Sequence, residues 1–201
     1  MEIEVIVALI TAVVTSIVGP IAVHYAKQYN DSRRKKEDPF TESLRVNQMI
    51  NEKLDDVKKE YQADRIWMLQ FHNGGHFYPT GKSIQKFSMV YELLNPSVVP
   101  CQTQFQNIPV SLFSTAINHL VEGNTIQIPN TSENESRFEG ITSVVVGAGV
   151  ESTYLFPIFN IKGDFVGIVG LDYVEDPILL SQEKIKSISL ETSTIGGVLN
   201  N

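Results

Sequence analysis

The first pattern along the chain is an uncharged, apolar segment near the N-terminus. From Val5 to Val23, 19 residues include no Asp, Glu, Lys, Arg or His. A helix of about 20 mainly apolar residues crosses the hydrocarbon core of a bilayer. The pattern therefore predicts a transmembrane helix over residues 3–24. The expected location is the inner (cell) membrane, with a single pass and membrane lipid as the partner of this helix.

The charges around the segment predict its orientation. A secretory signal peptide would begin with cations, but the apolar run follows Met1-Glu2-Ile3-Glu4. Cations come after the run, at Arg33-Arg34-Lys35-Lys36 in a basic linker over residues 25–40. The positive-inside rule then places the remainder of the chain in the cytoplasm. The lone Cys101, which cannot form an intramolecular disulfide, fits a reducing compartment.

An amphipathic helix is predicted after Pro39, with Thr41 as a plausible N-cap. Apolar residues recur at spacings of four, four, three and four, with charged residues between them. They are Val46, Ile50, Leu54, Val57 and Tyr61. This stripe needs a partner. Either the sheet of the same domain or the same helix of a second subunit, in a homodimer through amphipathic helices, could cover it.

Strand-forming runs separated by turn signals follow this helix. Arg65–Phe71 and Ile84–Leu94 are strand candidates, and Asn73-Gly74-Gly75 between them is a turn signal. Further along the chain, three segments are predicted from composition and spacing. They are a short helix within 109–122 carrying Val110, Phe113, Ile117 and Val121, a strand over Thr125–Ile128, and an exposed loop over 130–140.

The clearest unit is a hairpin near the C-terminus. Thr153–Phe159 and Phe165–Tyr173 are apolar runs that flank the loop Asn160–Asp164. Gly167 and Gly170 in the second run imply close packing against another backbone. Together with a final helix capped by Ser181, these elements predict an α+β domain over residues 41–201. Its central antiparallel sheet is flanked by helices and preceded by one transmembrane helix.

The hairpin Tyr154–Tyr173, with amphipathic helices before and after it, resembles the last strand pair of the GAF/PAS-like family of sensor domains. The resemblance implies a non-enzymatic sensor or interaction module that binds a small ligand or a protein partner. In such domains the ligand lies over the sheet beneath connecting loops. No cyclic-nucleotide or chromophore signature is present, so no cofactor is expected.

A polar and aromatic stretch between the first two strands is the candidate site. His72, Asn73, Tyr78, Lys82 and Lys86 offer hydrogen-bond donors beside aromatic rings. This mixture is typical of a small-molecule pocket or an interface hot spot. We therefore expect these five residues to bind a ligand or a protein partner.

The same stretch contains Gly81-Lys82-Ser83, which invites comparison with a phosphate-binding loop. That motif has four residues between its first glycine and the Gly-Lys-Ser, whereas five separate Gly75 from Gly81. The segment that follows is predicted as a strand rather than the helix that the motif requires. Nucleotide hydrolysis is therefore not expected.

Metal binding and catalysis also lack their usual patterns. His72 and His76 are four residues apart, but the glycines between them disfavour the helix that would align two ligands. Ser83 and Ser88 lie near these histidines without a nucleophile-elbow sequence. We expect no metal site, no catalytic residue and no enzymatic activity.

Charge excludes another class of partner. Residues 38–201 contain 11 Lys and Arg against 19 Asp and Glu, so nucleic acid is not expected to bind. Two of the acidic residues, Glu92 and Asp172, fall at the edge of the predicted core. We expect each to form a structural pair with Lys86 or Arg65.

A second hypothesis comes from the order of the elements. A membrane helix, a linker helix, a mixed domain, a hairpin and a terminal helix also resemble the holins of T-even-type bacteriophages. The most similar part runs from Phe156-Pro-Ile-Phe-Asn-Ile-Lys-Gly-Asp-Phe-Val-Gly through the final helix, and the lysis function of those one-span proteins is the alternative. Those holins place their soluble domain in the periplasm, whereas Arg33-Arg34-Lys35-Lys36 predicts a cytoplasmic one.

Overall fold

The structure is a computed structural model that describes residues 3, 6–7, 14–33, 38–133 and 137–199. The chain divides into two compact units, Met1–Leu44 and Arg45–Asn201. In the first unit, a π-helical turn over Val14–Val18 is followed by helix α1, Gly19–Arg33. The division of the chain at residues 24 and 40 stays a prediction.

The described residues contain no helix that matches the predicted transmembrane helix. None of the helices there combines the length with the apolar composition that crossing a bilayer requires. Helix α1 has 15 residues and includes the polar His24, Lys27 and Gln28. Residues 4–5 and 8–13 of the predicted span lie outside the described ranges.

The remaining helices and strands begin at Pro39. Helix α2 spans Pro39–Glu60 and leads into the strands β1, Arg65–His76, and β2, Ser83–Leu94. The later elements are listed in chain order. They are β3 Ile108–Pro109, α3 Ser114–Val121, β4 Ile126–Ile128, α4 Glu139–Gly147, β5 Ser152–Phe159, β6 Phe165–Tyr173 and α5 Gln182–Val198.

The six strands form one antiparallel sheet in the order β3-β2-β1-β6-β5-β4. The predicted C-terminal hairpin is present, because β5 and β6 pair on either side of Asn160–Asp164. Strand β6 then pairs with β1, so Arg65 lies opposite Asp172 and Trp67 lies opposite Gly170. This register brings together residues about 100 positions apart in the sequence.

Each face of the sheet carries its own hydrophobic core. Successive side chains of a strand point to opposite faces. Ile66 and Met68 accordingly join the core beneath α2 and α5, whereas Trp67 and Leu69 join the core beneath α3 and α4. The α+β prediction with helices flanking an antiparallel sheet is therefore confirmed for this domain.

The stripe of the amphipathic helix is covered by the sheet. Ile50, Leu54 and Val57 of α2 are buried in the first core, together with Tyr61 just beyond the helix. Of the two partners considered for the stripe, the sheet of the same domain is the one observed. A homodimer through amphipathic helices stays a prediction.

Three local predictions need correction. Asn73-Gly74-Gly75 is not a turn but lies inside β1, because cross-strand pairing with β2 continues to His76. Val110 and Phe113 lie in a 3-10 turn before α3, and within α3 the buried face carries Ala116, Ile117 and Leu120, whereas Val121 is exposed. The sequence analysis also missed α4, whose run of β-branched residues resembles a strand.

Candidate functional site

A cavity of about 70 Å³ lies between the sheet and the helices α3 and α4. Its floor includes Trp67 and Leu69 of β1 and Phe87 of β2. Ile117 of α3 and Val145 of α4 contribute to the opposite wall. Nearly all of the lining side chains are apolar, so the interior favours an apolar occupant.

The alternation of β1 explains the floor. Arg65, Trp67 and Leu69 are two residues apart and therefore point to the same face of the sheet. Gly170 lies opposite Trp67 on β6, and a Cβ at that position would overlap the indole ring. The missing side chain of Gly170 thus gives the Trp67 ring room to lie flat across the neighbouring strand.

One end of the cavity is polar. Arg65 and Asp172 line it, and each is at least 98% buried. The Arg65 Nη1 donates a hydrogen bond of 3.1 Å to Asp172 Oδ2, and Arg65 Nη2 donates one of 2.8 Å to the carbonyl of Val99. The ion pair follows from the register, because the two residues are cross-strand partners.

Asp172 accepts two further hydrogen bonds. The Trp67 indole donates to Oδ2 at 2.8 Å, and the Thr153 hydroxyl donates to Oδ1 at 2.7 Å. Burial raises the pKa of Asp172, while these donors and the Arg65 guanidinium oppose that rise. The Arg65 and Trp67 donors favour the charged form of the carboxyl, whereas the Thr153 hydroxyl can either donate or accept.

A second carboxylate reaches the same guanidinium. Glu92 Oε1 lies 3.3 Å from Arg65 Nε, with both side chains almost fully buried. The Arg65 N–H is not aimed at that oxygen, so this nitrogen has an ion pair but no hydrogen bond. The backbone N–H groups of Cys101 and Gln102 donate to Glu92 at 2.9 Å and 3.0 Å. Arg65, and not Lys86, is therefore the partner of both predicted carboxylates.

Cys101 completes the polar end. Its thiol donates to Glu92 Oε1 at 3.2 Å and is buried. Burial, followed by the hydrogen bond to Glu92, raises the pKa of Cys101 to about 12. The thiol is therefore protonated at neutral pH and is a poor nucleophile.

The five predicted site residues lie elsewhere, on and around the hairpin of β1 and β2. His72 and Lys86 are cross-strand partners, and the Lys86 stem covers Gly74. Asn73 accepts hydrogen bonds from Ser83 and Gln85. Tyr78 is 97% exposed near the hairpin tip, and the backbone carbonyl of Lys82 accepts from the N–H of Phe77 at the same tip.

The structure thus brings His72 and Lys86 together but does not gather all five residues around one pocket. None of them is among the described residues that line the cavity. Their role in binding a ligand or a partner stays a prediction. The alternation of Arg65, Trp67 and Leu69 was the sequence signal for one wall of the cavity. The sequence did not indicate which helices cover that face of the sheet.

No group of His, Cys, Asp and Glu suited to a metal ion occurs among residues 3, 6–7, 14–33, 38–133 and 137–199. Outside the cavity, His72 Nε2 and Ser88 Oγ lie 2.9 Å apart and form a hydrogen bond, a pairing that also occurs in serine nucleophile sites. The same Ser88 oxygen accepts from the N–H of Asn107. This hydroxyl is thereby tied into the packing of the sheet edge.

Comparison with solved structures identifies the fold. The blue-light absorbing form of the PixJ GAF domain from Thermosynechococcus elongatus has a TM-score of 0.63 at 13% identity, covering 79% of this chain and 87% of that chain. The domain has a GAF-like fold. The photoproduct state of GAF3 from Slr1393 of Synechocystis sp. PCC6803 has a TM-score of 0.60 at 11% identity, with 77% and 92% covered. A far-red cyanobacteriochrome photoreceptor has a TM-score of 0.61 at 11% identity, with 88% and 95% covered.

These identities establish the fold of the GAF-like domain and not its ligand. No family model matches the chain, and no curated protein does so either. The expected resemblance to GAF domains is confirmed at the level of fold. The comparisons give no support to the resemblance to phage holins or to an N-terminal transmembrane helix.

Proposed function

We propose that this chain is a membrane-tethered, non-enzymatic sensor module whose GAF-like domain binds a small, mainly apolar ligand. The observation that carries the proposal is the apolar cavity between the sheet and helices α3 and α4, with its polar end at Arg65 and Asp172. Small-molecule sites are typically concave and apolar with a few polar groups that fix orientation. A GAF-like fold is consistent with such a sensor.

The size of the cavity limits the ligand. An apolar cavity of about 150 Å³ holds benzene, and the present one is about 70 Å³. A compact ligand smaller than benzene is therefore expected. Leaving the volume unfilled costs about 2 kcal/mol at ~24 cal/mol per Å³, so a ligand that fills it would stabilise the domain.

Binding can be followed through the protein itself. The sequence has a single tryptophan, Trp67, and this residue lines the cavity. Its fluorescence therefore reports directly on the proposed site. We would titrate isobutanol into the full chain reconstituted in nanodiscs of zwitterionic lipid, and record Trp67 emission and the melting temperature.

A matched pair of variants tests the location. Val145 faces the cavity, whereas the neighbouring Val146 is 51% exposed. Val145→Phe should fill the cavity and abolish the response to isobutanol, and Val146→Phe should leave it unchanged. If wild-type protein gives no saturable response, or if Val145→Phe responds as wild type does, the proposed ligand site is wrong.

The membrane tether is supported by the uncharged run from Val5 to Val23 and the cations that follow it. Its test is to fuse alkaline phosphatase and, separately, green fluorescent protein after Asn201 and to compare the two in growing cells. Membrane-bound fluorescence without phosphatase activity supports a cytoplasmic sensor domain. Phosphatase activity would reverse the orientation, and recovery of the fusion in the soluble fraction would remove the tether.

The proposal of a non-enzymatic function is supported by where the reactive side chains lie. Cys101 is protonated and donates to Glu92, and the His72–Ser88 pair lies outside the cavity. A ligand in the cavity therefore meets no activated nucleophile among the lining residues. Recovery of unmodified isobutanol after prolonged incubation is the expected result, whereas a stoichiometric product would contradict the proposal.

A further inference from the structure

The polar end of the cavity has an unequal number of positive and negative groups. One guanidinium, that of Arg65, is shared between Asp172 at 3.1 Å and Glu92 at 3.3 Å. All three side chains are almost fully buried, so water screens their charges poorly. With both carboxylates ionised, the set carries one excess negative charge.

The carboxylates are surrounded mainly by hydrogen-bond donors. Glu92 is surrounded by the N–H groups of Cys101 and Gln102 and by the Cys101 thiol, all of which donate. Asp172 likewise receives donors from Arg65, Trp67 and Thr153. Two carboxylates therefore share one guanidinium, and the donors around Asp172 oppose the rise in its pKa that burial causes.

Asp172 also has capacity for another donor. A carboxylate offers about four acceptor positions. In the described part of the chain, Oδ2 accepts from Arg65 and Trp67, but Oδ1 accepts only from Thr153. Since Asp172 lines the cavity, a donor on a ligand could use the remaining position.

We infer that the cavity selects a short, branched aliphatic amine in its protonated form and excludes the carboxylate of the same shape. The inference rests on the proposed ligand site and specifies its ligand class. A protonated amine neutralises the excess charge and supplies the donor that Asp172 can accept. An anion that approached Arg65 from within the cavity would also approach Asp172, which lines the cavity beside it, with Glu92 behind the same guanidinium.

The experiment compares three ligands of nearly one shape, namely isobutylamine, isobutanol and isobutyrate, at pH 7. Each is titrated into the full chain in nanodiscs of zwitterionic lipid, with Trp67 emission as the readout. Isobutylamine should bind at least about tenfold more tightly than isobutyrate. This ratio of dissociation constants corresponds to a difference of about 1.4 kcal/mol in binding free energy. Isobutanol should fall between them.

Variants separate charge selection from simple occupancy. Glu92→Gln removes the excess negative charge, retains an oxygen for the Cys101 and Gln102 N–H groups, and should reduce the preference for isobutylamine to a few-fold or less. Val145→Phe should abolish the response to all three ligands, and Val146→Phe should preserve the wild-type order. If Glu92→Gln does not fold, the wild-type series with these two valine variants decides the question.

Two results would overturn the inference in different ways. Saturable binding of isobutanol with equal or tighter binding of isobutyrate than of isobutylamine would refute amine selection and leave the proposed ligand site intact. A response to isobutylamine that persists in Val145→Phe would place the amine outside the cavity and refute it as well. Absence of binding by all three ligands, and of xenon binding under pressure, would refute the ligand site itself.

Discussion

Gly170 lies directly opposite Trp67 on the neighbouring strand, and the indole ring occupies the space that a side chain at Gly170 would need. The same indole lines the cavity and donates to Asp172. This single contact therefore joins the packing of the sheet to the shape of the proposed site.

Gly170→Ala should push the Trp67 ring towards the cavity. We expect a loss of about 1–3 kcal/mol in the free energy of unfolding, as for other overpacked cores, and weaker binding of isobutanol. Chemical denaturation followed by Trp67 fluorescence measures the first effect. Gly197→Ala is the control, because Gly197 lies in α5 with open space around its Cα. That change should stabilise the protein by about 0.5–1 kcal/mol, and equal losses in both variants would contradict the packing argument.

Arg65→Met should leave two buried carboxylates without their cation. We expect the free energy of unfolding at pH 8 to fall by about 3–5 kcal/mol. Without Arg65 the pKa of Asp172, already raised by burial, rises further. A carboxyl whose pKa is higher in the folded than in the unfolded protein lowers the free energy of unfolding as the pH rises. The destabilisation of the variant relative to wild type should therefore become smaller when the pH is lowered from 8 to 5.

The control for this prediction is Lys59→Met. Lys59 pairs with Asp55 on the exposed face of α2, with 70% of its side chain accessible. Its removal should change the free energy of unfolding by less than about 1 kcal/mol. A pH-independent deficit in Arg65→Met would show that lost packing, rather than unpaired charge, causes its destabilisation.

The Cys101 thiol should contribute to alkaline unfolding. Its pKa rises from an ordinary value of 9.0 to about 12 in the folded protein. The unfolded thiol ionises first, so this contribution to stability is fully present below pH 9 and is lost as the pH rises towards 12. Urea unfolding between pH 8 and pH 11 should therefore show a steeper decline in wild type than in Cys101→Ser. Parallel curves would contradict the assignment.

Replacement of the exposed Tyr78 should have little effect on stability. Because its ring is 97% exposed, Tyr78→Ser should change the free energy of unfolding by no more than about 0.5 kcal/mol and should leave isobutanol binding unaltered. Denaturation and Trp67 titration measure both. A loss of isobutanol binding in this variant would make the hairpin part of the ligand site, as the sequence analysis expected of Tyr78.

Local patterns were sufficient for many elements of the domain. The four-four-three-four spacing after Pro39 predicted α2, Ser181 predicted the start of α5, and the apolar runs around Asn160–Asp164 predicted the β5–β6 hairpin. These signals are strong because each depends on residues within a few turns of one another. The same reasoning misplaced a turn at Asn73-Gly74-Gly75, because the two glycines form an irregularity in the register, with Gly75 at positive φ, and pairing with β2 resumes at His76.

The sequence by itself determined most of the helices and strands, though not α4 or β3, together with the close packing at Gly167 and Gly170 and the expectation that Glu92 and Asp172 form structural pairs. The tertiary structure alone decided that both carboxylates share Arg65 and that α3 and α4 enclose a cavity over Trp67. The reason is physical. A site formed by strands and helices up to about 100 residues apart depends on the register of β1 with β6 and on which face each helix covers, and neither is encoded in any local spacing.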